Sequence, residues 1–153
     1  MQPLKHHIHR ILFIDDDEED FLLFKEAAKA IDPSVTVTFL EQCDQDPSKF
    51  PWLEPDLIFL DLNMPRCNGF DFLKKLKASE LKDVPVIIFT TSRNQTHIDK
   101  AYQHGATLYL PKPFSFSGLE KAIQELLSLD WDHPELITNT YCNNGKYKAY
   151  SVS

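Results

Sequence analysis

The sequence predicts an open, doubly wound α/β sheet of five βα units, and two patterns predict it. Short apolar runs rich in Ile, Val and Phe alternate with segments of helical period along most of the 153 residues. Three of those runs are almost continuously apolar, as strands covered on both faces of a parallel sheet are. Crossovers in such a sheet are right-handed. Ligands bind beyond the carboxyl ends of the strands, where the strand order reverses.

The first strand is expected at 10-RILFID-15, followed by six consecutive acids, Asp15 to Asp20. Phe21, Phe24, Ala28 and Ile31 then recur on one face of a helix. The second strand is 35-VTVTFL-40. The helix after it, 45-QDPSKFPWL-53, is broken by Pro47 and Pro51, so only a short or irregular turn is expected there. The third strand is 56-DLIFLD-61, and Phe70, Leu73 and Leu76 mark the helix that follows. The fourth is 84-VPVIIFT-90, and its helix ends at His104-Gly105, a glycine at a C-terminal cap. The fifth is 107-TLYLP-111, followed by a helix opening on Ser117-x-x-Glu120, a capping box.

Composition narrows the function. At 42% hydrophobic and 25% charged residues this is an ordinary globular chain. No run approaches the ~18 apolar residues of a membrane span, and the N-terminus lacks a signal-peptide core. The formal net charge of −7, without a basic stripe, argues against direct DNA binding. Cys43, Cys67 and Cys142 fit no metal-ligand spacing, and their odd number argues against a disulfide framework. A reducing cytoplasm is the simplest location. Cys67 reads as an ordinary loop residue, and His6, His7 and His9 as part of a flexible leader.

Chemistry collects at the strand ends. Asp15 and Asp16 follow the first strand, Asp61 the third, Thr90 the fourth and Lys112 the fifth. Two carboxylates ~5 Å apart repel by roughly 3 kcal/mol at an effective dielectric of ~20. A hard cation relieves that repulsion, and Mg²⁺ suits a few carboxylates, a carbonyl, waters and a phosphate oxygen. Asp17 is expected to cap the first helix, with Glu18, Glu19 and Asp20 in its first turn, where the helix dipole favours acids.

Four motifs in order, IDDD, FLDLNMPRCNG, FTTS and YLPKPF, resemble the receiver domain of two-component response regulators over about residues 9–129. The acid run and the LDW end are similar to stand-alone receivers common in Bacteroidetes. The resemblance implies a flavodoxin-like (βα)5 sheet in the order 2-1-3-4-5. It makes Asp61 the acceptor of a phosphoryl group from a sensor histidine kinase or phosphotransfer protein. A carboxyl needs no general base for this at neutral pH. Asp15, Asp16, Asp61 and the backbone carbonyl of Asn63 would hold Mg²⁺ or Mn²⁺, and Lys112 and Thr90 would contact the phosphoryl group. Lys112-Pro113 would be a cis peptide. Asn63 and Ser92 match positions that tune phosphoryl lifetime. Thr90 would move toward the phosphate and Tyr109 swing inward, changing the surface of the fourth helix, fifth strand and fifth helix for a downstream protein or a homodimer. Such a protein is a signalling phosphoacceptor, not an enzyme.

Two alternatives use similar residues. A haloacid dehalogenase-like phosphatase needs an acid two residues past its nucleophile, where this chain has Asn63. A non-phosphorylated pseudo-receiver scaffold would not require Asp61, Thr90 and Lys112 together. Residues 1–8 read as a leader and 130–153 as a tail too short for an effector domain. The tail is either disordered or a hairpin turning at Asn144-Gly145.

Overall fold

The strands form where side chains can be buried on both faces. β1 (Arg10–Ile14), β2 (Thr36–Leu40), β3 (Leu57–Leu60), β4 (Val86–Thr90) and β5 (Leu108–Pro111) make one parallel sheet in the order β2-β1-β3-β4-β5. That is the predicted flavodoxin-like topology. The structure is a computed structural model and describes residues 7–41, 54–65 and 67–152. The irregular helix expected at 45–53 lies outside the described residues.

Alternate residues of each strand feed two apolar layers. On one face Phe13, Phe59, Phe89, Leu108 and Leu110 meet α1 (Glu18–Ile31) and α4 (Phe116–Leu127). Phe24 of α1 sits against Phe13 and Phe59, with ring centroids 4.8 and 4.6 Å apart. Such pairs add about 0.5–1.5 kcal/mol each beyond their buried area. On the other face Leu12, Ile58, Leu60, Ile88 and Tyr109 meet α2 (Gly69–Lys77) and α3 (Gln95–Gln103). No described helix is long and apolar enough to cross a membrane.

Helix starts are set by short polar side chains. Asp17 caps α1, accepting from the Glu19 and Asp20 amides, as expected. α4 is capped by Ser115, which accepts from the Gly118 amide, so the helix begins before the predicted Ser117 box. Both serines precede the same apolar stripe, and only backbone geometry distinguishes them. α3 ends as expected at His104, with Gly105 at φ 100°.

Beyond α4 the described residues continue into further elements. Trp131 is buried and donates its indole N–H to the Leu126 carbonyl at 2.8 Å. α5 (Pro134–Tyr141) follows, a helix that the polar composition of the tail did not announce. Then β6 (Cys142–Asn143) and β7 (Lys146–Tyr147) form a two-stranded hairpin. Its turn is Asn144-Gly145, both at positive φ (54° and 76°), as the Asn-Gly pair requires. At the other end Ile8, read from sequence as leader, is buried in the core.

Gly69 packs the start of α2 against the loop beyond β3. A Cβ on Gly69 would lie 2.6 Å from the Leu62 Cα and 3.0 Å from the Asp61 carbonyl oxygen. Gly69→Ala should therefore destabilise the protein by about 1–3 kcal/mol, the usual cost of overpacking, read as a lower urea midpoint.

Candidate functional site

Parallel strands bring their carboxyl ends to one edge, and the polar residues there converge. Asp15 follows β1 and Asp61 follows β3, and both are buried, at 1% and 5% exposure. Asp16 beside them is exposed. One carboxylate oxygen from each of Asp15, Asp16 and Asp61 falls within a 4.8 Å cluster. Local turns hold this arrangement. Asp15 accepts from the Asp17 amide and Asp61 from the Asn63 amide, both at 3.0 Å.

Lys112, one residue past β5, reaches across the edge. Its Nζ is 2.9 Å from Asp15, 2.6 Å from Asp20 and 3.4 Å from Asp61. Burial alone would lower its pKa, but the hydrogen bond to Asp20 and the charges of Asp61 and Asp15 outweigh burial and raise it. Asp15 is pushed up to about 7, first by desolvation and further by Asp61, against the opposing pull of Lys112. A single ammonium serves three carboxylates, so the most buried of them, Asp15, is the one that tends to keep a proton.

The Lys112–Pro113 peptide is trans, since the described residues contain no cis bond. This corrects the cis expectation. Trans is favoured by roughly 0.5–1 kcal/mol before proline, and Lys112 reaches its carboxylates without the other isomer. Asp20 was missed as a site residue, although the sequence carried a signal. With Asp17 as the cap, Asp20 is the third helical residue, whose side chain leans back over the helix start.

Thr90 is fully buried, and its hydroxyl accepts from the Asn63 side-chain amide at 3.1 Å. The same amide donates to Thr91 Oγ1 at 3.2 Å. Ser92 pairs with His97 Nδ1 at 2.6 Å, while its carbonyl accepts from the Tyr109 hydroxyl at 2.8 Å. Tyr109 is 0% exposed. Its ring stands in the inward position, held there by the Ser92 carbonyl.

The donors fit a hard cation: all three clustered side chains offer carboxylate oxygen, with neither sulfur nor imidazole among them. Cys67, in the loop after Asp61, is disulfide-bonded, contrary to the sequence expectation, and Cys142 is free. An odd count excludes a fully paired set but not one bond.

Residues 11–124 match the response regulator receiver domain family. Response regulator Rcp1 of Synechocystis is 30% identical over 129 residues, covering 77% of this chain and 86% of Rcp1. The phosphorylated cyanobacterial phytochrome response regulator RcpA superposes with a TM-score of 0.69 at 26% identity, covering 79% of this chain and 91% of that one. The Mn(2+)-bound form of Rcp1 does so with 0.66 at 27% identity, covering 79% and 93%. The chain spans about half the length of the first curated relatives it matches (47%, 56% and 50%).

Ionising Asp15 works against folding. Its pKa is about 7 in the folded chain and 3.8 as a free side chain. The penalty is absent below pH ~4, grows between ~4 and ~7, and is complete above ~7. Asp15→Asn should therefore stabilise the metal-free protein by roughly 2–4 kcal/mol at pH 8 and by little at pH 4, measured by urea unfolding at both pH values.

Proposed function

Because the chain belongs to the response regulator receiver domain family, we propose that it takes a phosphoryl group onto Asp61 from the phosphohistidine of a sensor histidine kinase or phosphotransfer protein. In that transfer a bond forms between an Asp61 carboxylate oxygen and phosphorus, and the phosphorus–nitrogen bond of the donor breaks. The observation that carries the reading is the placement of Asp61 between a carboxylate pair and a lysine ammonium at one sheet edge.

The residues divide the work. Lys112, 3.4 Å from Asp61, moves from its carboxylates to the incoming phosphoryl oxygens and neutralises them. Asp15, Asp16, Asp61 and the Asn63 carbonyl are the groups that would hold Mg²⁺ or Mn²⁺. When bound, the ion supplies further positive charge to the phosphoryl group. Thr90 exchanges the Asn63 amide for a phosphoryl oxygen. Asn63, two residues past the acceptor, and Ser92, two past Thr90, tune how readily water reaches the phosphoryl group. The phosphatase alternative finds no acid at Asn63, whose amide is a donor to Thr90 and Thr91.

The donor's approach is marked by apolar side chains. Phe114 is 94% exposed, and Leu22, Leu23 and Phe116 are exposed as well. Leu23, Phe114 and Phe116 line a cleft that runs to Asp20 and Lys112. Exposed apolar groups around a polar site suit a protein donor. Output is a change in protein contacts, made by α3, β5 and α4, and not a turnover reaction. The cytoplasm, where kinases draw phosphoryl groups from ATP, is the matching location; the Cys67 disulfide would be reduced there.

Acetyl phosphate with Mg²⁺ should add one phosphoryl group to the protein by intact mass, and Asp61→Asn should abolish it. Sustained turnover of phosphate esters would instead favour the phosphatase. Asp16→Asn should weaken Mg²⁺ binding at least about tenfold by titration calorimetry, whereas Glu19→Gln, in the helix turn, should scarcely change it. Phe114→Ala should slow transfer from a phosphorylated histidine phosphotransfer protein by roughly 5–10-fold and leave transfer from acetyl phosphate unaltered.

A further inference from the structure

A serine and a histidine pair just beyond β4. The Ser92 hydroxyl lies 2.6 Å from Nδ1 of His97, in the first turn of α3. The Asn94 amide donates to the same hydroxyl at 3.3 Å. The start of α3 does not require this pair, because Asn94 is its cap and accepts from the Thr96 amide at 2.8 Å. A serine hydroxyl has one hydrogen to give, and a neutral imidazole protonated at Nε2 takes it at Nδ1. In that arrangement the hydroxyl keeps no hydrogen for another acceptor, and one of its lone pairs already serves Asn94.

Packing ties His97 to both loops of the site. Its ring centroid lies 6.1 Å from that of Phe70, a buried residue in the first turn of α2. The Phe70 amide donates to the Asn68 side chain, and Gly69 between them packs against Leu62 and the Asp61 carbonyl. Lys100, one turn further along α3, places its ammonium 4.4 Å from the Phe70 ring centroid and adds to that seat. The imidazole thus rests on the loop that follows the acceptor while it holds a residue of the loop that follows Thr90. Ser92 is held at its backbone as well, since its carbonyl accepts from the buried Tyr109 at 2.8 Å.

We propose that His97 is a positioning residue for the acyl phosphate formed at Asp61: by taking the Ser92 hydrogen it keeps that hydroxyl from orienting water, and so lengthens the life of the phosphoryl group. That role rests on the reading of Asp61 as phosphoacceptor. Hydrolysis joins a water oxygen to phosphorus and breaks the bond from phosphorus to the Asp61 oxygen. The carboxylate keeps the electron pair of that bond, and both water protons leave on inorganic phosphate. Placing the water is a main task of such a site. Ser92 stands two residues past Thr90, on the loop that the Asn63 amide ties down through Thr90 and Thr91. A hydroxyl released there has its hydrogen free for a water or a phosphoryl oxygen, and His97 withholds it.

Decay of the phosphoryl adduct tests this, with the full chain loaded from acetyl phosphate and Mg²⁺, freed of the donor and followed by intact mass. His97→Phe keeps a ring against Phe70 and removes the acceptor; it should speed decay at least about threefold, the scale of one hydrogen bond. His97→Asn, whose Oδ1 stands where Nδ1 stood, should restore the slow decay. With Ser92→Ala already in place, His97→Phe should have no further effect, because no hydroxyl is left to release. A merely structural role would act alike with or without that hydroxyl. A His97→Phe adduct that decays at the wild-type rate overturns the role of His97, as does an equal acceleration in the Ser92→Ala background. So does a His97→Asn adduct that decays as fast as the His97→Phe one. A wild-type chain that takes no adduct overturns the phosphoacceptor reading, and this role with it.

Discussion

A single ammonium makes the sheet edge tenable. Asp15 and Asp61 are buried, Asp16 and Asp20 stand beside them, and Lys112 contacts three of the four. Buried carboxylates without a counter-charge are strongly destabilising, whereas each contact with Lys112 offsets part of the desolvation. One charge cannot balance that many, and Asp15, raised first by desolvation and further by Asp61, is where the shortfall shows. The site is therefore short of positive charge by construction. That shortage is what suits it to a cation and to a transfer in which Lys112 changes partners.

The sheet was legible because burial on both faces leaves continuous apolar runs, and all five strands fell within a residue or two of those runs. Asp15, Asp16 and Asp61 were legible as a group because parallel topology sends strand ends to one edge. What the sequence hid depends on geometry between distant segments. The bond between Asp20 and Lys112 joins residues 92 apart, and the cap at Asp17 sets which way Asp20 leans without saying which distant cation it meets. The Lys-Pro step also misled, since a dipeptide permits a cis bond without requiring one.

The tail shows a different kind of illegibility. Asn144-Gly145 announced its turn locally, and the hairpin forms there. A hairpin so short has no stability of its own. Its support is Tyr102, Gln95 and Tyr109, none of which reads as a docking residue in sequence. The polar composition that suggested disorder is the composition of a segment lying on a surface. Trp131 and Ile137 enter the core, and Tyr141, Tyr147, Ala149, Tyr150 and Val152 pack against its two layers.

The charge-poor site and the edge strand β5 meet at three consecutive residues. Thr90 ends β4 and Thr91 and Ser92 follow it, the first two held by Asn63 and the third by Tyr109 and His97. A tightly packed interior does not absorb a displacement gradually; it exchanges one set of contacts for another. Tyr109 cannot answer a shift of Ser92 by moving further inward, since its ring has no exposed surface left to bury. Its remaining freedom lies along the edge of the sheet, where its backbone carbonyl bonds to Tyr150 and its amide to Tyr102. A rearrangement that begins at Asp61 and passes through this stretch reaches the sheet edge at Tyr109, whose backbone is held by Tyr150 and Tyr102.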